Sequence, residues 1–206
     1  RAQITGSLAE REAALAEVFG RNPAKALQAL YGMDTIETWD KGATDMLGDD
    51  LFGVHMRFIA RQNAQSGAPT YLYQFTRVPP SRNQTIGAYH AAEISFVFDS
   101  HLPLVKLNES DRKLTDRMVS YWTNFAKTGN PNGERLPEWP ATSPEGDVWM
   151  ELGPSPKPIE GLRARKLDIL EEALRQRIDT VAGPKAEPPP PPEPEPGALP
   201  ILLDAE

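Results

Sequence analysis

Five stretches of the chain carry apolar residues at helical spacing, and two short runs read as strands. Residues 7 to 19, SLAEREAALAEVF, place Leu8, Leu15, Val18 and Phe19 on one face. Ser7 and Glu10 stand at capping-box spacing, and Gly20 with Asn22-Pro23 ends the helix. PAKALQALYG follows, with Pro23 in a first-turn position. Residues 49 to 65, DDLFGVHMRFIARQNAQ, repeat Leu51, Phe52, Met56 and Ile59 at helical spacing before Gly67. LTDRMVSYWTNFAKTGNPNG, from residue 114, predicts a long helix whose buried face is Met118, Tyr121, Trp122 and Phe125. Gly129 and Asn130-Pro131 stop it, and Lys127 suits its negative end. Residues 165 to 179 form a final helix that docks through Leu167, Ile169, Leu170, Leu174 and Ile178.

Between these helices, TYLYQF at 70 to 75 is rich in β-formers and reads as a strand of a buried sheet. VWMEL at 148 to 152 reads as a second strand. Pro79-Pro80-Ser81-Arg82-Asn83 is a loop, and LPEWPATSPEGD is an irregular proline-rich connector. A few strands with longer helices between and after them predict an α/β fold. The composition changes past Gly183. PKAEPPPPPEPEPG favours polyproline II, and LPILLDAE follows it. Residues 1 to 183 are therefore expected to form the folded unit, with 184 to 206 a proline-rich flexible tail.

A chain of 206 residues is long enough for one ordinary core. A net charge of -7 disfavours a nucleic-acid partner, because phosphate binding needs a basic patch. No run approaches the roughly 20 apolar residues of a membrane span. The absence of cysteine excludes disulfides and thiolate metal sites. Three histidines, with neither cysteine nor an HExxH motif, give no reason to expect a metal. No GxGxxG or Walker loop points to a cofactor. Arg1-Ala2-Gln3-Ile4 resembles neither an initiator methionine nor a signal peptide, so the start reads as cut from something longer.

The candidate chemistry centres on GAYHAAEISFVFDS, residues 87 to 100. His90 sits behind a glycine-led loop, where an imidazole can act as general base near neutral pH. The commoner local role is a surface or hydrogen-bonded structural histidine. Glu93, three residues on, fits either a proton network or a loop salt bridge. His55 lies within a helical pattern as a face or packing residue, and His101 has no partner at a telling spacing. Tyr71, Tyr73 and Phe75 alternate along a strand, a pattern that more often means core packing than ligand stacking. No GxSxG is present. α/β-Hydrolases mount their serine on that elbow and carry their histidine last, so a C-terminal piece should contain the histidine without the serine.

GAYHAAEISFVF resembles the histidine loop of the type-B carboxylesterases, the cholinesterase-like α/β-hydrolases. Gly87, Ala88, His90, Glu93, Ile94, Phe96, Val97 and Phe98 fit the family pattern, and Ser95 replaces its usual proline. PTYLYQFTRVP, LTDRMVSYWTNFAKTGNPNG, LPEWPATSP and VWMELG resemble further family segments in the same order, over about residues 10 to 155.

The resemblance implies the C-terminal two-fifths of an α/β-hydrolase fold, with a few strands of a central sheet and flanking helices. It implies a serine carboxylesterase that needs no cofactor. His90 would be its catalytic histidine, Glu93 and Gly87 would support the loop, and Phe96, Phe98 and Leu102 are candidate pocket or support residues. The serine, the acid and the oxyanion hole would lie in a missing upstream part. Glu10, Glu12 and Glu17 lack the family's E-G context and are not assigned as the acid. The expected partners are a small-molecule ester substrate and that upstream part of the same enzyme. The absence of cysteine departs from the animal secreted members, so a soluble bacterial enzyme, cytoplasmic or exported, is expected. The alternative is a non-catalytic relative that binds partners through its surface or its proline-rich tail.

Overall fold

The computed structural model describes residues 6–80, 87–103 and 105–182. The tail 184 to 206, the first four residues and Ser81 to Asn83 of the proline loop lie outside them.

Four helices come first. α1, Leu8–Phe19, is closed at its start by the expected capping box, in which Ser7 and Glu10 exchange backbone and side-chain hydrogen bonds. Gly20, at φ 80°, breaks the chain before α2, Arg21–Tyr31. α2 begins two residues ahead of Pro23. The proline tolerates this position because the first four N–H groups of a helix have no intrahelical acceptor. α3, Ile36–Gly48, is a helix that the sequence pattern does not predict. A five-residue π turn, Asp49–Gly53, joins it to α4, Val54–Gln65.

β1, Tyr73–Phe75, pairs in parallel with β2, Val148–Leu152, and β2 turns back antiparallel to β3, Lys157–Glu160. The connection from β1 to β2 carries the short α5, Ile94–Val97, and the long α6, Glu109–Thr128. α7, Ala164–Ala182, follows β3. α6 begins five residues before the expected Leu114. Asn108 accepts from the Asp111 N–H, and the Asp111 carboxylate accepts from the Asn108 N–H.

The sheet separates two cores because side chains alternate across a strand. On one face, Leu72 and Trp149 pack with Leu15, Leu27, Tyr31, Trp39 and Val54 and with Leu167, Leu170 and Leu174 of α7. On the other face, Phe75, Met150 and Leu152 meet Phe96 of α5 and Leu114, Met118 and Tyr121 of α6. Trp139, from the proline-rich connector, is buried in this second core and donates its Nε1–H to the Leu72 carbonyl at 3.0 Å. Tyr71, Tyr73, Tyr121 and Trp122 surround it with ring centroids 5.2–6.1 Å away. The alternating aromatic strand thus serves core packing. β1 stands at the sheet edge, and its second side has no strand partner among the described residues.

Several positions expected to be buried face outward. Val18, Phe125 and Ile178 are exposed. The α4 region differs most: Leu51, Phe52, Met56 and Ile59 are 54, 45, 49 and 50 % exposed, while Val54, Arg57 and Ala60 turn inward. The periodicity is helical, but the apolar face is the outer one.

Candidate active-site segment

The chain reaches His90 through a tightly specified turn. Gly87 has φ 73°, which glycine adopts without cost. Ala91, immediately after His90, has φ 69°, a left-handed conformation that costs a residue bearing a Cβ about 1–2 kcal/mol. The Tyr89 carbonyl accepts from the Ala92 N–H at 3.0 Å and the Ala91 carbonyl from the Ile94 N–H at 3.3 Å. The Glu93 carbonyl then accepts from the N–H groups of Phe96 and Val97, both at 2.9 Å, and starts α5. Past α5, Asp99 takes φ 46° and the Ser100 N–H returns to the Ser95 carbonyl at 3.0 Å. This is a Schellman-type ending with aspartate in place of glycine. The Ser95 hydroxyl donates to the Ala92 carbonyl at 3.4 Å.

α5 is anchored through Phe96. Its ring is buried between Phe75 of β1, at 5.3 Å, and the imidazole of His101, which meets it edge-on at 4.8 Å. His101 Nε2 lies 3.0 Å from the Thr115 hydroxyl, and that hydroxyl gives its own proton to the Asp111 carbonyl at 2.9 Å. The His101 nitrogen is therefore the donor. Asp111 also pairs with Arg77 just past β1, at 2.5 Å. Burial pushes the Asp111 carboxyl up, but the Arg77 hydrogen bond, the Asn108 N–H and the Arg77 charge together hold it below its ordinary value. The strand end, α5 and the start of α6 are thereby fastened to one another, and the His90 turn leads directly into α5.

His90 itself is exposed. Its ring stacks on Phe52 of the π turn, with centroids 4.5 Å apart and planes 18° from parallel. Glu93 is half-buried, and its charge, after burial itself, raises the Tyr73 hydroxyl. Phe96 belongs to the core, whereas Phe98 and Leu102 are 72 and 71 % exposed. His55 lies on α4 with its Nδ1 buried and, among the described residues, without a hydrogen-bond partner. Among the described residues no group of three or more carboxylates and histidines is arranged to hold a metal. No described helix is long and apolar enough to cross a membrane.

The mixed α/β segment, with helices on both faces of a short three-stranded sheet, matches part of known esterase structures. A solved PNB esterase superposes with a TM-score of 0.56 at 25 % identity, over 82 % of this chain and 35 % of that one. The chain belongs to the carboxylesterase family, whose model matches residues 10–170. It is 34 % identical to mouse (Mus musculus) carboxylesterase 1C over 157 residues, covering 74 % of this chain and 28 % of that protein. It is 33 % identical to the human (Homo sapiens) cocaine esterase over 147 residues, covering 68 % and 26 %. The rat (Rattus norvegicus) acylcarnitine hydrolase is 35 % identical over 145 residues, covering 68 % and 26 %. The matched region thus spans about a quarter of the length of these relatives, less than the two-fifths that the motifs imply. The family match extends past residue 155 into α7.

Proposed function

We propose that this chain is the C-terminal, histidine-bearing part of a serine carboxylesterase and supplies His90 as general base. In this reading an upstream part of the same protein brings the serine, the acid and the oxyanion donors. His90 takes the serine proton as the hydroxyl attacks the ester carbonyl, then protonates the departing alcohol. Water repeats the cycle on the acyl-enzyme. Glu93 and Gly87 support the loop, and Phe98 and Leu102 are candidates for the pocket wall. Residues 1 to 183 are the C-terminal portion of the α/β-hydrolase catalytic domain, and 184 to 206 are a proline-rich tail.

The observation that supports this most is the setting of His90. In a chain of this family, it projects into solvent from a turn whose underside is fastened through Phe96, His101, Thr115 and Asp111. A structural histidine would be expected to spend its ring nitrogens on the core. This one makes no ring-nitrogen hydrogen bond among the described residues and stacks on the exposed Phe52 ring. The bare edge of β1 and the outward apolar face of α4 are also what a segment lacking its partner would present.

A base without nucleophile or oxyanion donors has little to act on; loss of one oxyanion donor alone typically costs about 100- to 1000-fold in rate. The 206-residue chain is therefore expected to hydrolyse no p-nitrophenyl ester above background. Turnover should appear when the chain is joined to an upstream segment carrying GxSxG. His90-dependent turnover by the 206-residue chain alone would overturn the proposal.

A further inference from the structure

We propose that Phe52 is the positioning residue for His90: its ring is the platform that sets the plane of the imidazole and stabilises the imidazolium formed when His90 takes a proton. The proposal rests on the reading of His90 as general base.

The stack is close and nearly parallel, 4.5 Å between centroids and 18° between planes. Among the described residues no hydrogen bond fixes the His90 ring; in-plane bonds from the upstream acid and serine would leave the tilt of the ring about its N–N axis open, and the stack sets that tilt. An exposed imidazole on a loop would otherwise sample several rotamers, and a general base must present one nitrogen to one proton.

The platform is itself held rigidly. Phe52 is the fourth residue of the π turn Asp49–Gly53. Such turns are rare and occur frequently at functional sites. Here the wider turn separates the outward phase of Leu51 and Phe52 from the inward phase of Val54 and Arg57. Buried Asp49 pins the turn: it accepts the Tyr31 hydroxyl at 2.7 Å and pairs with Arg163 at the start of α7. Asp50 pairs with Arg177 at 2.9 Å. Gly53 lies so close to α7 that a Cβ there would stand 3.3 Å from Leu167 Cδ2. The turn is thus tied to α2 and α7, while the aromatic ring it carries is left half in solvent. A core role for Phe52 explains neither that exposure nor the pins beneath it.

The carboxylates nearest the stack in sequence have other neighbours. Asp49 faces Arg163 just before α7, Asp50 faces Arg177 within it, and Glu93 lies by Tyr73 of β1. The face of Phe52 therefore meets the positive charge on the imidazolium from this chain's side, in addition to the acid that the proposed upstream part brings. Aromatic faces attract cations electrostatically, with an effect worth about 3- to 30-fold in an equilibrium or rate.

The test is NMR of the natural-length protein labelled at the histidine ring, with wild type, Phe52→Leu and Phe52→Tyr compared. The indole N–H of Trp139, bonded to Leu72, reports the fold of each variant. Wild-type His90 ring protons should lie upfield of a free imidazole because they sit over the Phe52 face. They should move downfield in Phe52→Leu and return in Phe52→Tyr. Ester turnover should follow: kcat falls about 3- to 30-fold in Phe52→Leu with KM little changed, and Phe52→Tyr restores it. Ring protons at the same position in wild type and Phe52→Leu would overturn the proposal, as would a lost stack with kcat unchanged. Unchanged turnover in His90→Gln would instead remove the general-base reading while leaving the ring shift in place.

Discussion

Asp111 shows how single residues hold the His90 turn. It caps α6, faces Arg77, and carries on its carbonyl the Thr115 hydroxyl that receives His101. Its carboxyl is held below the ordinary carboxylate value even though burial alone would raise it. A depressed value means that the ionised group contributes its full stabilisation above the unfolded value of about 3.9. The contribution is lost as pH falls through the lower folded value. Asp111→Asn is expected to cost roughly 2–4 kcal/mol at pH 7, since it weakens the reciprocal half of the capping box and leaves a half-buried arginine without its counter-charge. Urea midpoints measured from pH 7 down to pH 3 should show a shallower acid-side loss in the variant than in the parent. His90 and Glu93 are legible at this scale because they lie in a contiguous motif. His101 is not, because its partners Thr115 and Phe96 are brought to it by the turn after α5, and no spacing rule encodes that turn.

Among the elements, α2 and α3 approach closely enough to require glycine. A Cβ on Gly42 would stand 2.5 Å from both Met33 Cγ and the Tyr31 carbonyl oxygen. Met33 can shift, but backbone cannot, so Gly42→Ala is expected to destabilise by about 1–3 kcal/mol despite its better helix propensity. A thermal melt would read this directly, and an unchanged or raised midpoint would contradict the packing. The same glycine helps explain why α3 leaves so weak a mark in the sequence. Its buried positions are Trp39 and Gly42, with Ala43 and Met46 only partly covered, so hydropathy sees one strong residue in three turns. β3 is hidden for a related reason: KPIE is mostly exposed and contains a proline, both marks of an edge strand. The phase of α4 runs against its hydropathy because its inward side includes Arg57. That fully buried guanidinium faces Glu171 at 2.9 Å, Asp168 at 3.0 Å and Asp147 at 3.3 Å. A hydropathy pattern assigns such a side to solvent, and the π turn shifts the register further. By contrast α2, α6 and α7 follow strong periodic patterns, and their helix cores are readable.

Over the described residues, the outward apolar side chains and the β1 edge without a strand partner fit a body that is well packed within and that, in the proposed reading, an upstream part completes. The residues that break the expected burial of α4 are the ones to be covered if the proposed upstream part docks there. The 206-residue chain alone should therefore bind a hydrophobic dye such as ANS strongly, and the same chain joined to the upstream part should bind much less. Equal dye binding by both would argue that this face is open in the complete protein. The sequence motifs announce the family at this scale, whereas in the proposed reading the partner of the sheet edge would come from the upstream part and is not readable from these residues. Catalysis in this reading depends on His90 above any other residue of the chain. The most direct test is p-nitrophenyl ester turnover by the natural-length protein with His90 intact and with His90→Gln. A fall in kcat of about 10⁴-fold or more, with the fold preserved, is the predicted result; comparable turnover in the two proteins would contradict it.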